Sequence, residues 1–252
     1  MDKKAMLELW QQEEARTFSG WDFSYLEGRV VHETLPWDYD ALVGQNLKKE
    51  DHLLDIGTGG GEYLLTLEHP YENTHVTEAY PPNIELCKER LGNLGIDVRA
   101  VDVDGWLPFE DHSMDIIINR HEYFRVEEVA RVLKPGGIFI TQQVGSWNNW
   151  SLSQRLVSDT SSRGPSGNVF ELTVEAMKAI GFQIGMEQEF YPELKFLDIG
   201  ALVYFAKIIQ WEFPGFTVEG CQDQLFELQE ELLSKGYLSS DEHRYVIVAK
   251  KL

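Results

Sequence analysis

Cysteine is nearly absent: Cys87 and Cys221 alone cannot build a disulfide framework, and a reducing, cytoplasmic setting is expected. Basic residues are scarce too. The chain has 22 Lys+Arg against 42 Asp+Glu in 252 residues, a net charge of −20 with histidine neutral. Such a charge repels a phosphate backbone, and no Lys/Arg run offsets it, so nucleic acid is disfavoured as a partner. Long apolar runs are missing as well. The longest, Ile199–Ile209, is interrupted by Gly200 and Lys207 and is too short to span a bilayer. The opening MDKKAMLELW meets an acid at once and has no apolar core, so neither a secretory signal nor a membrane partner is expected. Repeats, low-complexity tracts and long Gly/Ser linkers are lacking, which favours one continuous fold. What remains is globular: 43% hydrophobic and 25% charged residues.

The middle of the chain alternates short apolar runs with helical patterns. Strands are expected at His52–Ile56, His75–Ala79, Val98–Val103, Asp115–Asn119 and Gly137–Gln142. Between them fall helices at Tyr63–Glu68, Pro82–Leu94 and Val126–Leu133. That alternation predicts an α/β fold with a parallel, doubly wound sheet. Pro81-Pro82 suits a first helical turn, and Lys134-Pro135-Gly136-Gly137 suits a helix end. Outside this core, a helix is expected near Lys3–Arg16. Gly145–Asn168 reads as a loop containing a helix. Beyond it come a helix Thr173–Ile180, the apolar Leu194–Trp211, a helix Gln222–Leu233 and a last strand Tyr245–Ala249.

The most informative residues are Asp55-Ile56-Gly57-Thr58-Gly59-Gly60-Gly61-Glu62, where the first core strand breaks into glycines. Glycine lets backbone approach a ligand where a Cβ would clash. The dinucleotide fingerprint GxGxxG fails because Glu62 stands at its last position, and no Gly-Lys-Ser/Thr follows to make a phosphate loop. The pattern is Asp-x-Gly-x-Gly-x-Gly, and its acid suits an amino-bearing ligand better than a pyrophosphate. Glu78 ends the second strand, where an acid accepts from both ribose hydroxyls. Asp102, at the end of the third, is placed for an adenine amino group, with Asp104 as its rival.

Together LLDIGTGGGEYL, the acid in TEAYPPN, VDVDGWLPFEDHSMDIIINRHE and VARVLKPGGIFITQQVG resemble a class I S-adenosylmethionine-dependent methyltransferase. The nearest resemblance is to small bacterial members with an LPF…FD…LKPGG signature, and it covers roughly 51–144. Met114 replaces the usual Phe. The resemblance implies a Rossmann-like, doubly wound, seven-stranded, mainly parallel sheet with added helices covering the active end. It implies S-adenosyl-L-methionine as cofactor, with Asp55, Gly57, Thr58, Gly59 and Gly61 around the methionine moiety. Glu78 would hold the ribose, Asp102 and Val103 the adenine, and Asn119 would border the sulfonium and the acceptor. A single methyltransferase domain is expected: residues 1–50 a helical cap, 51–145 the cofactor core, 146–252 an acceptor-side cover and sheet completion.

Methyl transfer needs alignment, exclusion of water and, for some acceptors, a base. His121, just past the fourth strand, is the candidate base beside Asn119, with Arg120 and Glu122 flanking it. The other histidines show no ligand spacing, so no metal is expected. Trp21, Tyr25, Trp37, Tyr39, Gln142, Gln143, Trp147, Asn148, Asn149, Tyr204, Trp211 and Phe213 are candidate acceptor-pocket residues. Asp198 and Lys207, inside an apolar stretch, are candidates for function or for burial against a partner. The expected acceptor is a small molecule. The alternatives are an rRNA-type RNA acceptor and a non-catalytic cofactor-binding module, in a monomer or homodimer.

Overall fold

The computed structural model describes residues 2–18, 23–160 and 168–252; Trp21 lies outside them. In chain order the elements are α1 (Lys3–Glu14), β1 (Val30–His32), α2 (Tyr39–Asn46), β2 (Leu53–Ile56), α3 (Glu62–Thr66), β3 (Thr74–Glu78), α4 (Pro81–Arg90), β4 (Asp97–Ala100), β5 (Met114–Arg120), α5 (Val126–Val132) and β6 (Leu133–Val144). Then follow α6 (Trp150–Leu156), α7 (Val169–Ala179), β7 (Phe182–Phe190), β8 (Glu193–Phe196), α8 (Ile199–Ile208), α9 (Gln222–Lys235), β9 (Leu238–Asp241) and β10 (Arg244–Lys251). They divide into two compact units.

The first unit, residues 36–145, 168–189 and 244–252, is built on a seven-stranded sheet ordered β4-β3-β2-β5-β6-β10-β7. β4, β3, β2, β5 and β6 run parallel to their neighbours, and β10 is antiparallel to β6. The order reverses between β3 and β5, on either side of β2, which is where open sheets of this kind bind ligands. Leu53, Leu54, Ile116, Ile117, Ile118, Phe139 and Ile140 are fully buried, each worth about 1.5–3 kcal/mol of transfer free energy. Pro81 and Pro82 stand at the start of α4, where a missing N–H costs nothing.

Several sequence boundaries move. β4 ends at Ala100 rather than Val103, so Asp102 and Val103 sit in the following loop. Lys134–Gly137 does not separate helix from strand. β6 begins at Leu133, and the register jumps from Met114↔Leu133 to Ile116↔Ile138. A Cβ on Gly137 would lie 2.9 Å from the carbonyl oxygens of Asp115 and Lys134, so this bulge requires glycine there.

The second unit comprises residues 1–35, 146–167 and 190–243. It packs α1, α6, α8 and α9 around Leu156, Phe196, Leu202, Phe213 and Leu225, with a three-stranded antiparallel sheet β1-β8-β9. Asp198 and Lys207 find structural employment here. The Asp198 side chain caps α8 by accepting the Ala201 N–H at 2.7 Å, and it pairs with Arg29 at 2.5 Å. Lys207 donates to the main-chain oxygens of Glu14, the last residue of α1, and of Arg16 just beyond it.

Candidate functional site

β2 delivers a buried Asp55 and then a loop fastened at several points. The N–H groups of Gly57 and Thr58 donate to Thr77 O at 3.0 and 3.1 Å, and Gly61 N–H to Thr58 O at 3.0 Å. The Cys87 thiol donates to Gly59 O at 2.9 Å from below. Gly57, Gly59 and Gly61 have φ of +71°, +64° and +77°. A Cβ at Gly57 would overlap Glu122, and one at Gly61 would come within 2.7 Å of Leu91, so both need glycine for conformation and for space. Gly59 differs, since a Cβ there meets nothing within 4 Å. Its α-carbon faces open space.

Glu78 closes β3 and is buried at 4% exposure. One carboxylate oxygen accepts the N–H groups of Ala79 and Tyr80, both at 2.9 Å; among the described residues the other accepts only Gly59 N–H, at 2.9 Å. A carboxylate has about four acceptor positions, so one remains for a ligand hydroxyl. A narrow cleft opens beside it at the carboxyl ends of the strands. Its walls include Gly57, Thr77, Glu78, Asp102, Val103, Trp106, Glu122, Tyr123 and Phe124. Asp104, the rival acid, accepts Trp106 N–H at 3.2 Å and serves the turn. Among the described residues the buried Thr77 hydroxyl has no hydrogen-bond partner. A spare carboxylate position, an unpaired hydroxyl and aromatic walls fit an adenosine-bearing ligand.

Asp55 is raised to about 6 by burial and by the Glu78 charge, against the pull of the Thr58 hydroxyl and Arg120. Arg120 lies over the Tyr63 ring, 4.4 Å from its centroid, and Tyr63 packs on Tyr39 at 5.7 Å. Tyr39 donates its hydroxyl to Asn119 O at 3.1 Å, and Trp37 Nε1 donates to Gln142 Oε1 at 2.8 Å. Burial also pushes up the carboxyl of Glu122, which lines the cleft.

Asn119 sits beneath this surface rather than on it. Its side chain is fully buried, donating to Ile56 O at 3.2 Å while its oxygen accepts from the Thr141 hydroxyl and Gln143 Nε2. It ties β2, β5 and β6 together. His121 has a left-handed backbone, φ +66°, and its N–H bonds Gln142 O at 2.9 Å. The ring keeps solvent access although protein crowds it. Desolvation, with the charges of Arg244 and Arg120, lowers its pKa to about 3. With a pKa lowered that far, the imidazole is neutral near pH 7.

The other pocket candidates scatter. Trp37, Tyr39, Gln142 and Gln143 belong to the sheet unit. Tyr25, Trp147, Asn148, Asn149, Tyr204, Trp211 and Phe213 belong to the second unit. There Asn148 and Asn149 donate to the buried Glu212 at 2.5 and 2.7 Å, Tyr25 donates to Glu13 at 2.9 Å, and Tyr204 and Phe213 are core. Sequence reasoning passed over Tyr63, Trp106 and Tyr123. Tyr63 follows the glycine loop directly and Trp106 follows Gly105, positions a search for ligand-lining aromatics could have flagged. Among the described residues, no three His, Cys, Asp or Glu are grouped to hold a metal ion, and no helix is long and apolar enough to cross a membrane.

Residues 54–141 match the family described as "Methyltransferase domain". A probable phthiotriol/phenolphthiotriol dimycocerosates methyltransferase 2 of Mycobacterium ulcerans is 38% identical over 93 residues, 34% of this chain and 36% of that protein. The sterol 4-C-methyltransferase strm-1 of Caenorhabditis elegans is 35% identical over 137 residues, 49% of this chain and 40% of that protein. Among solved structures, a putative methyltransferase of Bacillus halodurans superposes with a TM-score of 0.54 at 18% identity, over 85% of this chain and 98% of that one. Over residues 54–141, the family match, with the sheet order and the glycine loop, marks a domain of the class I S-adenosylmethionine-dependent methyltransferase kind, whose cofactor is S-adenosylmethionine. The chain spans about a third of the length of the first mycobacterial relatives it matches.

Proposed function

We propose that the protein transfers a methyl group from S-adenosylmethionine to a small-molecule acceptor. The observation that carries this is the joint between Glu78 and the glycine loop: a buried carboxylate with one acceptor position left, beside an α-carbon facing open space. The cofactor supplies a methyl carbon already activated by a sulfonium. The chain's own work is then to bind, to align and to exclude water.

In this reading Glu78 accepts a ribose hydroxyl at its remaining position, and Asp102 with the Val103 N–H receives the adenine edge. Asp55 and the loop from Gly57 to Gly61 meet the methionine end. Asn119 keeps β2 and β5 in register beneath it. His121 orients the acceptor as a neutral hydrogen-bonding group. The names of the mycobacterial and nematode relatives support a small-molecule acceptor over RNA, as does the net charge of −20. The two unpaired, buried cysteines are in keeping with work in the cytoplasm.

A fold of this kind does not fix its chemistry, so the test is turnover. Incubating the chain with methyl-labelled S-adenosylmethionine and fractionated small-molecule extract should release S-adenosylhomocysteine with label in an acceptor. Binding without any acceptor-dependent release would make the chain a cofactor-binding module instead.

A further inference from the structure

We propose that Glu128 and Arg131 of α5, which stand outside the cleft lining, set the choice of base at the cofactor site. They are positioning residues: they hold the loop between β4 and β5 so that Asp102 and the Val103 N–H meet adenine. The proposal rests on the placement of adenine at those two residues and deepens that reading.

Glu128 and Arg131 are one helical turn apart and form a doubly bonded ion pair, Nε to Oε1 at 2.8 Å and Nη2 to Oε2 at 2.7 Å. The pair reaches on to the main chain of the loop. Glu128 Oε2 also accepts Leu107 N–H at 3.0 Å. Arg131 Nη2 donates to Leu107 O at 2.8 Å, and Nη1 donates to Phe109 O at 2.7 Å and to Asp111 Oδ1 at 2.9 Å. These bonds use all five donors of the guanidinium. A lysine has three donors and no planar fork, so it cannot reproduce the set. Glu128 is buried, where its bonds are not readily exchanged for water.

What the pair holds is a wall of the cleft. Leu107 lines it together with Asp102, Val103, Gly105 and Trp106. Only three residues separate Val103 from Leu107, and the turn between them is fixed. Gly105 has φ +78°, and a Cβ there would lie 2.9 Å from Tyr123 Cε1 and from Arg125 Cγ. Arg125, just before α5, lies over the Trp106 ring, 4.5 Å from its centroid. At the other end Val101 N–H donates to Glu78 O at 3.0 Å. The segment is thus tied to β3 on one side and to α5 on the other, with Asp102 and Val103 exposed between the two ties. A displacement of Leu107 is carried to the groups that read the base. Recognition by one carboxylate and one N–H tolerates only about 0.5 Å of error, so the residues that support them decide its fidelity.

The test compares S-adenosylhomocysteine with S-inosylhomocysteine by calorimetry on the full chain. Hypoxanthine presents a carbonyl oxygen where adenine presents its amino group, and an N–H where adenine presents an acceptor. Both mismatches fall on Asp102 and Val103, so the wild type should prefer the adenine ligand at least about tenfold. Arg131→Gln should reduce that preference to within about threefold, and Arg131→Lys should fall between. Glu128→Gln, which loses the charge holding Arg131, gives the same reading if Arg131→Gln does not fold. Both ligands meet the same folded fraction, so the ratio of their dissociation constants is unmoved by a variant that merely unfolds more easily. Phe182→Leu is the control, a core substitution in β7 at the opposite edge of the sheet, expected to lower the melting temperature and keep the preference. A wild-type ratio in Arg131→Gln overturns the proposal even if the protein melts earlier, and so does a lost ratio in Phe182→Leu. A wild type that binds S-adenosylhomocysteine without any preference overturns the adenine placement and the proposal with it. A wild type that binds neither ligand removes the methyltransferase reading itself.

Discussion

The Glu78 carboxylate accepts the Gly59 N–H at 2.9 Å, so the acid ending β3 and the middle glycine of the β2 loop form one joint. Glu78 therefore has two duties, shaping the loop and offering an acceptor to a ligand. Glu78→Ala should weaken S-adenosylhomocysteine binding by about 1–3 kcal/mol and also lower the melting temperature, because three backbone N–H groups lose their partner. Glu78→Gln, which keeps an acceptor oxygen, should lose less stability than affinity. Calorimetry and thermal melts on both variants check this. Unchanged affinity in a folded Glu78→Ala would remove Glu78 from the site.

Gly57 and Gly59 should respond differently to the same substitution. Both have positive φ, which costs an alanine roughly 1–2 kcal/mol. At Gly57 the new Cβ also overlaps Glu122, whereas at Gly59 it meets nothing. Gly57→Ala is expected to be the less stable protein by denaturant titration. Gly59→Ala is expected to lose cofactor affinity out of proportion to its small loss of stability.

Asp55 links stability to pH. Its folded pKa of about 6 lies above its ordinary 3.8, so between those values the folded state binds the proton that the unfolded state has released. The contribution is complete below about pH 4 and is lost as pH rises through about 6. Asp55→Asn should lack this slope and gain stability at pH 8 of order 3 kcal/mol, at some cost in cofactor affinity. Denaturant titrations from pH 4 to 8 read the slope directly. An identical slope in the variant would assign it to another group.

His121 gives a prediction about rate and one about strain. With its pKa lowered to about 3 by burial and two arginines, it contributes no limb to a pH–rate profile between pH 5 and 8. Its φ of +66° is expensive for any residue with a Cβ, so His121→Gly should be more stable than His121→Ala by about 1 kcal/mol. S-adenosylhomocysteine affinity should be nearly unchanged in both. A neutral-pH limb that vanishes in His121→Ala would restore the imidazole as a base.

The sequence carried the parallel core because β2 and β5 are apolar runs and because β2, β3 and β5 end beside chemistry-bearing residues: LLDI before the glycine loop, THVTE and MDIIINR. The edges were harder. β7 alternates in burial, but Phe182 is its only fully buried residue, so its apolar period is faint. The short β1, β8 and β9 pair only with one another, across 160 residues or more at β1, and no local pattern announces such contacts. The polar residues of the site divided by the same rule. Glu78 was legible because a strand end announces itself locally. The half-buried Asp198 and Lys207 turned out to be a helix cap and a carbonyl partner that only tertiary packing reveals.

The most direct test of the central claim is calorimetric titration of the intact chain with S-adenosylhomocysteine and, separately, with NAD. The loop anchored by Glu78 predicts a single saturable site for S-adenosylhomocysteine that Gly59→Val abolishes, and no detectable heat with NAD. Tight NAD binding without any S-adenosylhomocysteine binding would contradict the assignment of the cleft beside Gly59 and Glu78 to a sulfonium cofactor.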